Sequence, residues 1–528
     1  MEEFGATLDP FQQKKQRESS PIPTLTIISH PDPMRMGERA LLNSLLSGKK
    51  VELSRTNLSF AKPEKAMGKP LGDPYMSRNP IIFEPGARES VLLNCQSTRT
   101  LVMHGRDPIL GDKLFSSEDL NQGVVLVIAE RIVLLLHRTG KAGKITDPNH
   151  GFVGASDGMV TLREEISKVA DLSTPVLLRG ESGTGKELAA RAIHEASRTG
   201  RPFVCVNMGA ITPTLAASEL FGAVRGSFTG ASRDQGGYFR AAQGGTLFLD
   251  EIGEASPEVQ VMLLRALESG EISPVGAQQA IKINTRLIAA TDANLETKME
   301  EASFKTPLFH RLAGYEITLP PLRNRLEDFG RLFLHFSLSE LAETQEIKNL
   351  EPHGPQEEPW LPPSLVLQLL DYSWPGNIRQ LRNAVRQLII GCRHERVLRN
   401  VPKLEAMLAI PPTSSSPLPS SAPVTTREPS LEKRLKPSSI PEEDLVNALQ
   451  SHGWDIKSTA EALQISRGAL YKLIEKTPTL RKTTEITEQE IQDALREHHG
   501  DVDAVAFAFK VSPRALRRRM TILGLEEP

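Results

Sequence analysis

The stretch that decides the fold is an apolar strand that runs into a glycine-rich loop: Pro175-Val176-Leu177-Leu178-Arg179, then Gly180-Glu181-Ser182-Gly183-Thr184-Gly185-Lys186-Glu187. A helix is predicted to begin near Glu187. Glycines let backbone N–H groups close around phosphates, and a helix N-terminus adds a favourable dipole. Lys186 is expected to reach the β- and γ-phosphates. The order of strand, loop and helix predicts a nucleotide site that includes all eight loop residues.

A second apolar strand ends in two acidic residues: Gly244-Gly245-Thr246-Leu247-Phe248-Leu249-Asp250-Glu251. A carboxylate at this position can hold Mg²⁺ through water, and the next one can orient the attacking water. We therefore predict that Asp250 is the Mg²⁺ site and that Asp250 and Glu251 are catalytic. The predicted cofactors are ATP and Mg²⁺.

The composition is ordinary for a soluble globular protein. Charged residues make up 24% of the 528 residues, hydrophobic residues make up 39%, and the net charge is −2. Any DNA-binding surface must therefore be local. Three widely spaced cysteines predict reduced, buried thiols and no disulfide or metal framework. The N-terminus lacks a signal-peptide core, and the most apolar run, residues 124–136, is too short to span a bilayer. We expect a cytoplasmic protein.

The length predicts three or four domains. Between Thr24 and His137, short β-like runs alternate with turns, which favours a β-sandwich. From about residue 152, strands alternate with helical segments, as in a parallel α/β domain whose last part is helical. The predicted boundaries are a disordered segment 1–22, a β-sandwich 23–138, a linker 139–150, an α/β ATPase domain 151–400, a flexible linker 411–439, and two helical segments 440–478 and 486–525.

The two C-terminal helical segments are copies of one repeat. Residues 440–474 align without gaps on residues 486–520, which lie 46 positions later. Each copy predicts two or three short helices, so this part of the chain is expected to be all-α. A duplicated packing unit with no separate function is the alternative.

A glycine-flanked hexapeptide lies between the two nucleotide motifs: Gly226-Ser227-Phe228-Thr229-Gly230-Ala231. Together with those motifs, over residues 151–387, it resembles the AAA+ activators of sigma-54 RNA polymerase, whose surface loop reads GAFTGA. The resemblance implies that this hexapeptide contacts sigma-54 through Phe228 and Thr229. Ser227 replaces the family's alanine, and Ala223-Val224 replace the usual His-Glu at the loop base.

The same resemblance implies further nucleotide-site residues. Asn207 matches the switch residue that restrains Glu251. Thr291 matches the first sensor, and Arg379 matches the sensor arginine of a helical lid. Glu187 stands where many phosphate-binding loops have a Ser or Thr ligand for Mg²⁺, and the activators also have Glu there.

Subunit-crossing cations are expected as well. Arg311 matches one of the family's two arginines, whereas Lys305 replaces the other and Pro307 replaces the usual Asp. Lysine keeps the charge but loses the planar fork that grips phosphate oxygens. Because a subunit-crossing cation needs a neighbour, the resemblance implies a homo-oligomer, expected to be a hexameric ring.

The first repeat copy resembles the Fis-type helix-turn-helix of these activators. Ser466 is expected to cap the recognition helix, and Arg467, Tyr471 and Lys472 are candidates for contacts with double-stranded upstream DNA. In the second copy the basic helix is expected to bind DNA phosphates. Its candidate residues are Arg514, Arg517 and Arg518.

The N-terminal β region resembles a forkhead-associated (FHA) domain, a class that binds phosphothreonine peptides. The resemblance rests on Gly37-Glu38-Arg39, Ser77-Arg78-Asn79 and Thr100 with His104-Gly105, in that order. It implies that Arg39, Ser77 and Arg78 donate to a phosphate. The implied partner is a phosphothreonine protein or a Ser/Thr kinase. A β-sandwich without phosphopeptide binding is the alternative.

These features together predict an ATP-dependent bacterial transcription activator. It would bind upstream DNA, remodel sigma-54 RNA polymerase closed complexes and be gated by its phosphothreonine-sensing N-terminal domain. The alternative is a DNA-binding regulator or phosphopeptide scaffold whose AAA+ domain has little productive turnover. The residues that motivate this alternative are Lys305, Pro307, Ala223 and Val224.

Overall fold

The computed structural model describes residues 21–65, 67–140, 151–227, 233–352, 356–409, 487–498, 502–509 and 519–520, together with Leu445, Leu449, Thr459 and Leu516. The chain forms two compact units, Met1–Leu418 and Pro419–Pro528. The first unit holds the β-rich N-terminal domain, an α/β domain and a helical lid. Among the residues described, no helix has the length and apolar character needed to cross a bilayer.

The N-terminal domain consists of two antiparallel sheets that share one core. Its strands are β1 (Ile22–Ser29), β2 (Arg39–Leu41), β3 (Val51–Leu53), β4 (Ile81–Pro85), β5 (Val91–Asn94), β6 (Val102–His104), β7 (Asp107–Pro108), β8 (Asp112–Phe115), β9 (Val124–Ile128) and β10 (Ile132–Thr139). The sheet orders are β2-β1-β10-β9-β6-β7 and β3-β4-β5-β8. Alternate residues such as Leu25, Phe83 and Leu134 fill the space between the sheets. This architecture agrees with the predicted β-sandwich, whereas its FHA character stays a prediction.

Two short helices complete this domain, α1 (Asn43–Leu46) and α2 (Ser117–Gln122). A capping box explains where α2 begins. Ser116 Oγ accepts the Asp119 N–H, and the Asp119 carboxylate accepts the Ser116 N–H at 2.8 Å. This reciprocal pair satisfies two backbone donors at the helix start.

The α/β domain has a five-stranded parallel sheet in the order β12-β13-β16-β11-β17. Its strands are β11 (Val176–Arg179), β12 (Phe203–Asn207), β13 (Thr246–Asp250), β16 (Arg286–Thr291) and β17 (Tyr315–Thr318), and a separate hairpin pairs β14 (Glu271–Ile272) with β15 (Ile281–Lys282). The central strands are continuous apolar runs because both faces are covered. Their carboxyl ends meet at one edge, where ligands bind in such sheets.

Helices cover both faces of this sheet. They are α3 (Asp157–Val169), α4 (Lys186–Arg198), α5 (Pro213–Phe221), α6 (Gly237–Ala241), α7 (Pro257–Ser269), α8 (Leu295–Glu300) and α9 (Thr306–Leu312). The predicted helix after the glycine-rich loop is confirmed as α4. Ser256 starts α7 by accepting the Val259 N–H, with Pro257 at the first helical position, where its missing N–H costs nothing.

The lid consists of α10 (Phe329–Glu343), α11 (Pro363–Asp371), α12 (Asn377–Gly391) and α13 (Pro402–Ala409). Its core is built on buried side chains such as Phe333, Trp360 and Trp374. The same core takes in Ile28 and Val133 of the N-terminal sheet. The β-domain therefore packs on the lid through a continuous apolar interface.

The second unit contains α14 (Glu488–Glu497) and α15 (Val502–Ala508). Ile491, Val505 and Leu516 are fully buried and form a small core. Leu445 and Thr459 of the first copy, which align with Ile491 and Val505, are also buried. Equivalent positions are thus buried in both copies, as the repeat predicts.

The predicted burial of the cysteines is right for Cys95 and Cys392 and wrong for Cys205, which is exposed. Cys205 lies on β12, the edge strand of the parallel sheet, so one side of its strand has no neighbour. All three thiols are free.

Candidate functional site

The glycine-rich loop joins β11 to α4 in the conformation that the sequence predicts. Gly183 and Gly185 have φ of 78° and 104°, a backbone region that favours glycine. Lys186 lies at the first position of α4, and its Nζ donates to the carbonyl oxygens of Gly180 at 2.6 Å and Glu181 at 3.2 Å. Burial lowers the pKa of Lys186, and Asp292, Asp250 and Glu251 oppose that shift. The ammonium group thus lies inside the loop, facing acids at the strand ends.

The lid closes directly on this loop through Glu181. Arg323 Nη1 donates to Glu181 Oε2 at 2.7 Å, and Asn377 Nδ2 donates to the same oxygen at 3.1 Å. These contacts hold the pKa of Glu181 below its usual range, the Arg323 hydrogen bond being the largest cause. Asn377 also donates to the Ser182 carbonyl oxygen at 3.1 Å. Arg323 and Asn377 were not predicted as site residues, although both lie within residues 151–387, the part of the chain that resembles the activators.

Arg379, the predicted lid sensor, contacts the glycine-rich loop. Arg379 Nη1 donates to Ser182 Oγ at 3.2 Å, and the Ile378 N–H donates to the Gly183 carbonyl oxygen at 3.0 Å. Thr184 Oγ1 donates to the Glu181 carbonyl oxygen at 2.8 Å, which stabilises the loop turn. The structure therefore brings Arg379 to the loop that is predicted to bind phosphate.

The Glu187 side chain pairs with a residue of its own helix. Its carboxylate accepts from Arg191 one helical turn later at 2.9 Å, and both side chains are half exposed. The pair lies on the surface of α4 and so stabilises the helix locally.

The acidic pair lies at the end of β13, beside Asn207 on β12. Asp250 is the register partner of Asn207 in the parallel pair. Glu251 has φ of 54° and ψ of 43°, a left-handed conformation that is costly for a residue with a side chain. A Cβ at Gly209 would collide with Glu251 Oε2 and lie 3.3 Å from Asn207 Oδ1. Glu251 Oε2 and Asn207 Oδ1 thus lie on either side of one point beside Gly209, and the restraint of Glu251 by Asn207 stays a prediction.

Thr291 ends β16 next to the glycine-rich loop and is buried. Its carbonyl oxygen accepts the Gly180 N–H at 3.3 Å, and its Oγ1 accepts the Ala293 N–H at 3.0 Å. Asp292, the next residue, is exposed. The first predicted sensor is therefore bonded to the start of the phosphate loop.

The donor set fits a magnesium ion that is shared with a nucleotide. Asp250 and Glu251 supply hard carboxylate oxygens, the ligands that Mg²⁺ prefers. Among the described residues, no group of three His, Cys, Asp or Glu side chains could hold a metal without other ligands. Mg²⁺ commonly binds through one or two carboxylates plus substrate phosphates, so phosphate oxygens would complete this site.

The predicted subunit-crossing cations lie on the surface around α9. Arg311 Nε is 3.5 Å from Glu268 Oε1 on α7, and both side chains are about half exposed. Lys305 precedes α9, where its backbone N–H donates to Gln260 Oε1 at 2.8 Å and its side chain is exposed.

The structure describes only the start and base of the predicted sigma-54 loop. Ala223 pairs with Gln235 in an antiparallel bridge, and Gly226 has φ of 80°. Ser227 N–H donates to the Val224 carbonyl oxygen at 3.2 Å. Phe228, Thr229, Gly230 and Ala231 lie outside the described residues, as do the predicted DNA-binding residues Ser466, Arg467, Tyr471, Lys472, Arg514, Arg517 and Arg518.

The N-terminal residues predicted to bind phosphate occupy two different places. Ser77 N–H donates to Thr100 Oγ1 at 2.8 Å, and Arg78 beside it is exposed. Arg39, in contrast, donates through Nη1 to the Ala155 carbonyl oxygen at 2.8 Å and pairs with Asp328 of the lid at 3.7 Å. Arg39 is therefore not available to the Ser77 loop while this interface is formed.

Two other arginines lie beside Ser77 and were missed. The Arg55 N–H donates to the Ser77 carbonyl oxygen at 3.2 Å, and Arg99 precedes Thr100, the partner of the Ser77 N–H. Within the described chain, the guanidinium groups of Arg55, Arg78 and Arg99 form no ion pair or side-chain hydrogen bond. The pattern Ser-Arg at residues 54–55, repeated at 77–78, is the sequence signal that could have identified Arg55.

Three segments of the chain match protein families. Residues 152–318 match the sigma-54 interaction domain, residues 323–409 match the AAA+ ATPase lid domain, and residues 443–476 match the Fis family of bacterial regulatory proteins.

Individual relatives agree with these matches. The chain is 36% identical over 345 residues to the anaerobic nitric oxide reductase transcription regulator NorR of Vibrio vulnificus (strain YJ016), covering 65% of this chain and 66% of NorR. It is 38% identical over 305 residues to the DNA-binding transcriptional regulator NtrC of Klebsiella pneumoniae, covering 57% of this chain and 63% of NtrC. The matches thus span less than two thirds of either relative.

A solved structure, NtrX from Brucella abortus in complex with ADP, is 30% identical. The alignment covers 63% of this chain and 70% of NtrX, with a TM-score of 0.42. The matched segments show that this chain carries a sigma-54 interaction domain, an AAA+ ATPase lid domain and a Fis-family segment, in that order.

Proposed function

We propose that the chain is an ATP-dependent transcription activator that binds upstream DNA and remodels closed complexes of sigma-54 RNA polymerase. The observation that carries this proposal is the junction of lid and phosphate loop, in which Asn377 holds Glu181 and Arg379 reaches Ser182. A nucleotide in the loop would therefore act on the lid. The ATPase domain that contains the loop matches the sigma-54 interaction family, which supplies the target of that action.

The chemistry at the site follows from the positions of the side chains. Lys186 would neutralise charge on the β- and γ-phosphates, and Arg379 would add a second cation from the lid. Glu251 would orient the attacking water, and Asn207 would restrain Glu251 until nucleotide is correctly bound. Asp250 would hold Mg²⁺, which supplies further charge neutralisation when it is bound.

The base of the hexapeptide loop offers a route from the nucleotide to sigma-54. The Val224 N–H donates to the Val275 carbonyl oxygen at 3.1 Å, and the Val275 N–H donates to the Gly222 carbonyl oxygen at 2.8 Å. Val275 lies in the hairpin after α7, and α7 follows Glu251 along the chain. A shift of α7 during turnover would therefore move the loop base, and Phe228 and Thr229 would press on sigma-54.

Two further elements complete the proposed activator. Arg311 and Lys305 are exposed cations that could complete the nucleotide site of a neighbouring copy, which supports a homo-oligomeric ring, hexameric by family likeness. The Fis-family segment would bind double-stranded DNA through Ser466, Arg467, Tyr471 and Lys472. The second repeat copy would bind phosphates through Arg514, Arg517 and Arg518.

For the N-terminal domain we propose a phosphothreonine site on the loops around Ser77. Arg55, Arg78 and Arg99 stand on three loops that hydrogen bonds join at Ser77. A phosphate carries enough charge to pair with several arginines at once. The peptide would come from a phosphoprotein or a Ser/Thr kinase and would gate the ATPase. Arg39 lies at the ATPase interface and has no direct role in this site.

The test is open-complex formation on a sigma-54 promoter with its upstream DNA site, ATP and the full chain. Wild type should open the promoter, and Thr229→Ala should not, although its ATPase activity persists. Lys186→Ala should lose both activities and serves as the matched negative control. A wild-type chain that hydrolyses no ATP and opens no promoter, with phosphopeptide present or absent, would favour the alternative of a regulator without productive turnover.

A further inference from the structure

A buried carboxylate joins the N-terminal domain to the ATPase. Asp328 Oδ1 accepts the N–H groups of Ala155 at 2.6 Å and Ser156 at 3.0 Å, and only 1% of its side chain is exposed. Arg39 of the β-domain lies 3.7 Å from the same oxygen and also donates to the Ala155 carbonyl oxygen. Asp328 directly precedes the first lid helix. Three parts of the chain therefore meet at one charge: the β-domain, the lid, and the segment before α3.

A short connector links this charge to the phosphate loop. Residues 322–328 form two consecutive 3₁₀ turns, Leu322–Asn324 and Leu326–Asp328. At one end the Leu322 N–H donates to Asn377 Oδ1 at 2.8 Å, and Arg323 pairs with Glu181. At the other end Asp328 meets Arg39. Because the connector is short and bonded at both ends, a displacement of Asp328 would reach Glu181.

The β-domain is also fixed to the lid beyond this charge. Ser29 Oγ donates to the Leu361 carbonyl oxygen at 3.0 Å, and Arg131 Nη1 donates to the Glu357 carbonyl oxygen at 2.7 Å. Gly330 lies so close to β1 that a Cβ there would stand 2.5 Å from the Ile28 carbonyl oxygen. The domain is thus packed on the lid, and Arg39 ties it to the segment before α3 as well.

We propose that Arg39 is a positioning residue of the ATPase: by fixing Asp328 it sets the connector 322–328 against the phosphate loop, so that docking of the N-terminal domain determines nucleotide affinity. Removal of the guanidinium leaves the buried Asp328 carboxylate without its ion-pair partner, so that only the more distant charges of Arg163 and Arg325 compensate it. The connector would then shift, Arg323 and Asn377 would hold Glu181 less well, and the lid would close less tightly on nucleotide. This inference rests on the nucleotide binding of the proposed function, but not on its action at promoters.

The test compares affinities of the full chain for a fluorescent ADP analogue. Arg39→Gln is expected to weaken binding roughly fivefold or more, the lower range of typical coupling between sites. Arg331→Gln is the matched control, because Arg331 pairs with Glu64 across the same interface. Among the described residues, Arg331 forms no hydrogen bond or ion pair with Asp328. It should change the affinity by less than about twofold. In ATPase assays, Arg39→Gln should raise KM and leave kcat near wild type.

Asp328→Asn tests the same link without Arg39→Gln, and wild-type affinity of this single variant for the ADP analogue would overturn the proposal. Asp328→Asn should itself weaken ADP binding, and Arg39→Gln added to it should weaken binding no further, because the charge that Arg39 compensates is gone. Equal effects of Arg39→Gln and Arg331→Gln, or full additivity with Asp328→Asn, would overturn the proposal. ADP binding is measured without polymerase or DNA, so failure of the activator function would appear only in the promoter assay.

Discussion

Arg379, on the lid helix that begins at Asn377, donates a hydrogen bond to Ser182 Oγ of the phosphate loop at 3.2 Å. The contact crosses the cleft between the two domains, and the Ile378 N–H beside it donates to the Gly183 carbonyl oxygen. A phosphate bound in the loop would therefore find a lid cation already close by.

Arg379→Ala should weaken ATP binding. A hydrogen bond to a charged group contributes about 1.5–3 kcal/mol, so the Kd should rise by roughly tenfold to a hundredfold. Isothermal titration with a non-hydrolysable ATP analogue measures this change. Arg382→Ala is the control, since Arg382 lies on the same helix and its side chain is exposed. Equal affinities for the two variants would mean that Arg379 acts on the lid only as a surface cation.

Asn377→Ala should destabilise the fold as well as the nucleotide site. Asn377 is fully buried, accepts the Leu322 N–H, and donates to Glu181 and the Ser182 carbonyl oxygen. Its φ of 49° is left-handed, which asparagine tolerates better than alanine. We expect a loss of about 2–4 kcal/mol in the free energy of unfolding. Urea denaturation measures this loss, and Asn324→Ala, at an exposed position of the connector, should remain close to wild type.

Much of the fold could be predicted from periodicity and turns. The β-like runs expected between Thr24 and His137 are confirmed by strands such as Val124–Ile128, and the strand before the phosphate loop is confirmed as Val176–Arg179. The packing of the β-domain on the lid was not predicted. The sequence feature that indicates this packing is the unbroken apolar run from Ile132 to Leu136. A strand that is apolar on both faces must be packed against other elements on both sides.

The phosphate-binding candidates show why spacing alone is insufficient. Arg39 and Ser77 fall in the order that an FHA resemblance requires, but Arg39 faces the ATPase, and Arg55 takes the place beside Ser77. Which loops converge depends on strand pairing over long sequence separations. Local sequence does not contain that information.

The pH dependence of stability should have a component from Glu327. Burial, followed by the neighbouring Asp328, raises the pKa of Glu327 from 4.5 to about 7. The folded protein therefore holds this proton more tightly than the unfolded chain. Stability from this group is present at low pH and is lost as the pH rises through the range from about 4.5 to 7, by about 1–3 kcal/mol.

Glu327→Gln isolates this component. Unfolding free energies of wild type and variant should be similar near the acidic end of that range, and the variant should become the more stable one by neutral pH. Glu301→Gln, at an exposed position, should track wild type at every pH. The comparison also cancels His30 and His137, whose pKa values burial lowers to about 4 and about 3. A constant difference across the pH range would show that Glu327 does not titrate there.

Phosphopeptide binding should depend on Arg55 and be independent of Arg39. The Arg55 backbone N–H bonds to Ser77, and its guanidinium has no carboxylate partner among the described residues, so Arg55→Ala should lower the affinity for a phosphothreonine peptide library by roughly tenfold or more. Arg88→Ala, in the exposed turn Ala87–Glu89, is the matched control for loss of one positive charge.

Arg39→Gln should bind the same peptides as well as wild type, because the Arg39 guanidinium contacts Ala155 and Asp328. Fluorescence anisotropy with phosphorylated and unphosphorylated peptides measures all three variants. Loss of binding in Arg39→Gln with retention in Arg55→Ala would return the phosphate site to Arg39 and require the β-domain to leave the lid before it binds its peptide.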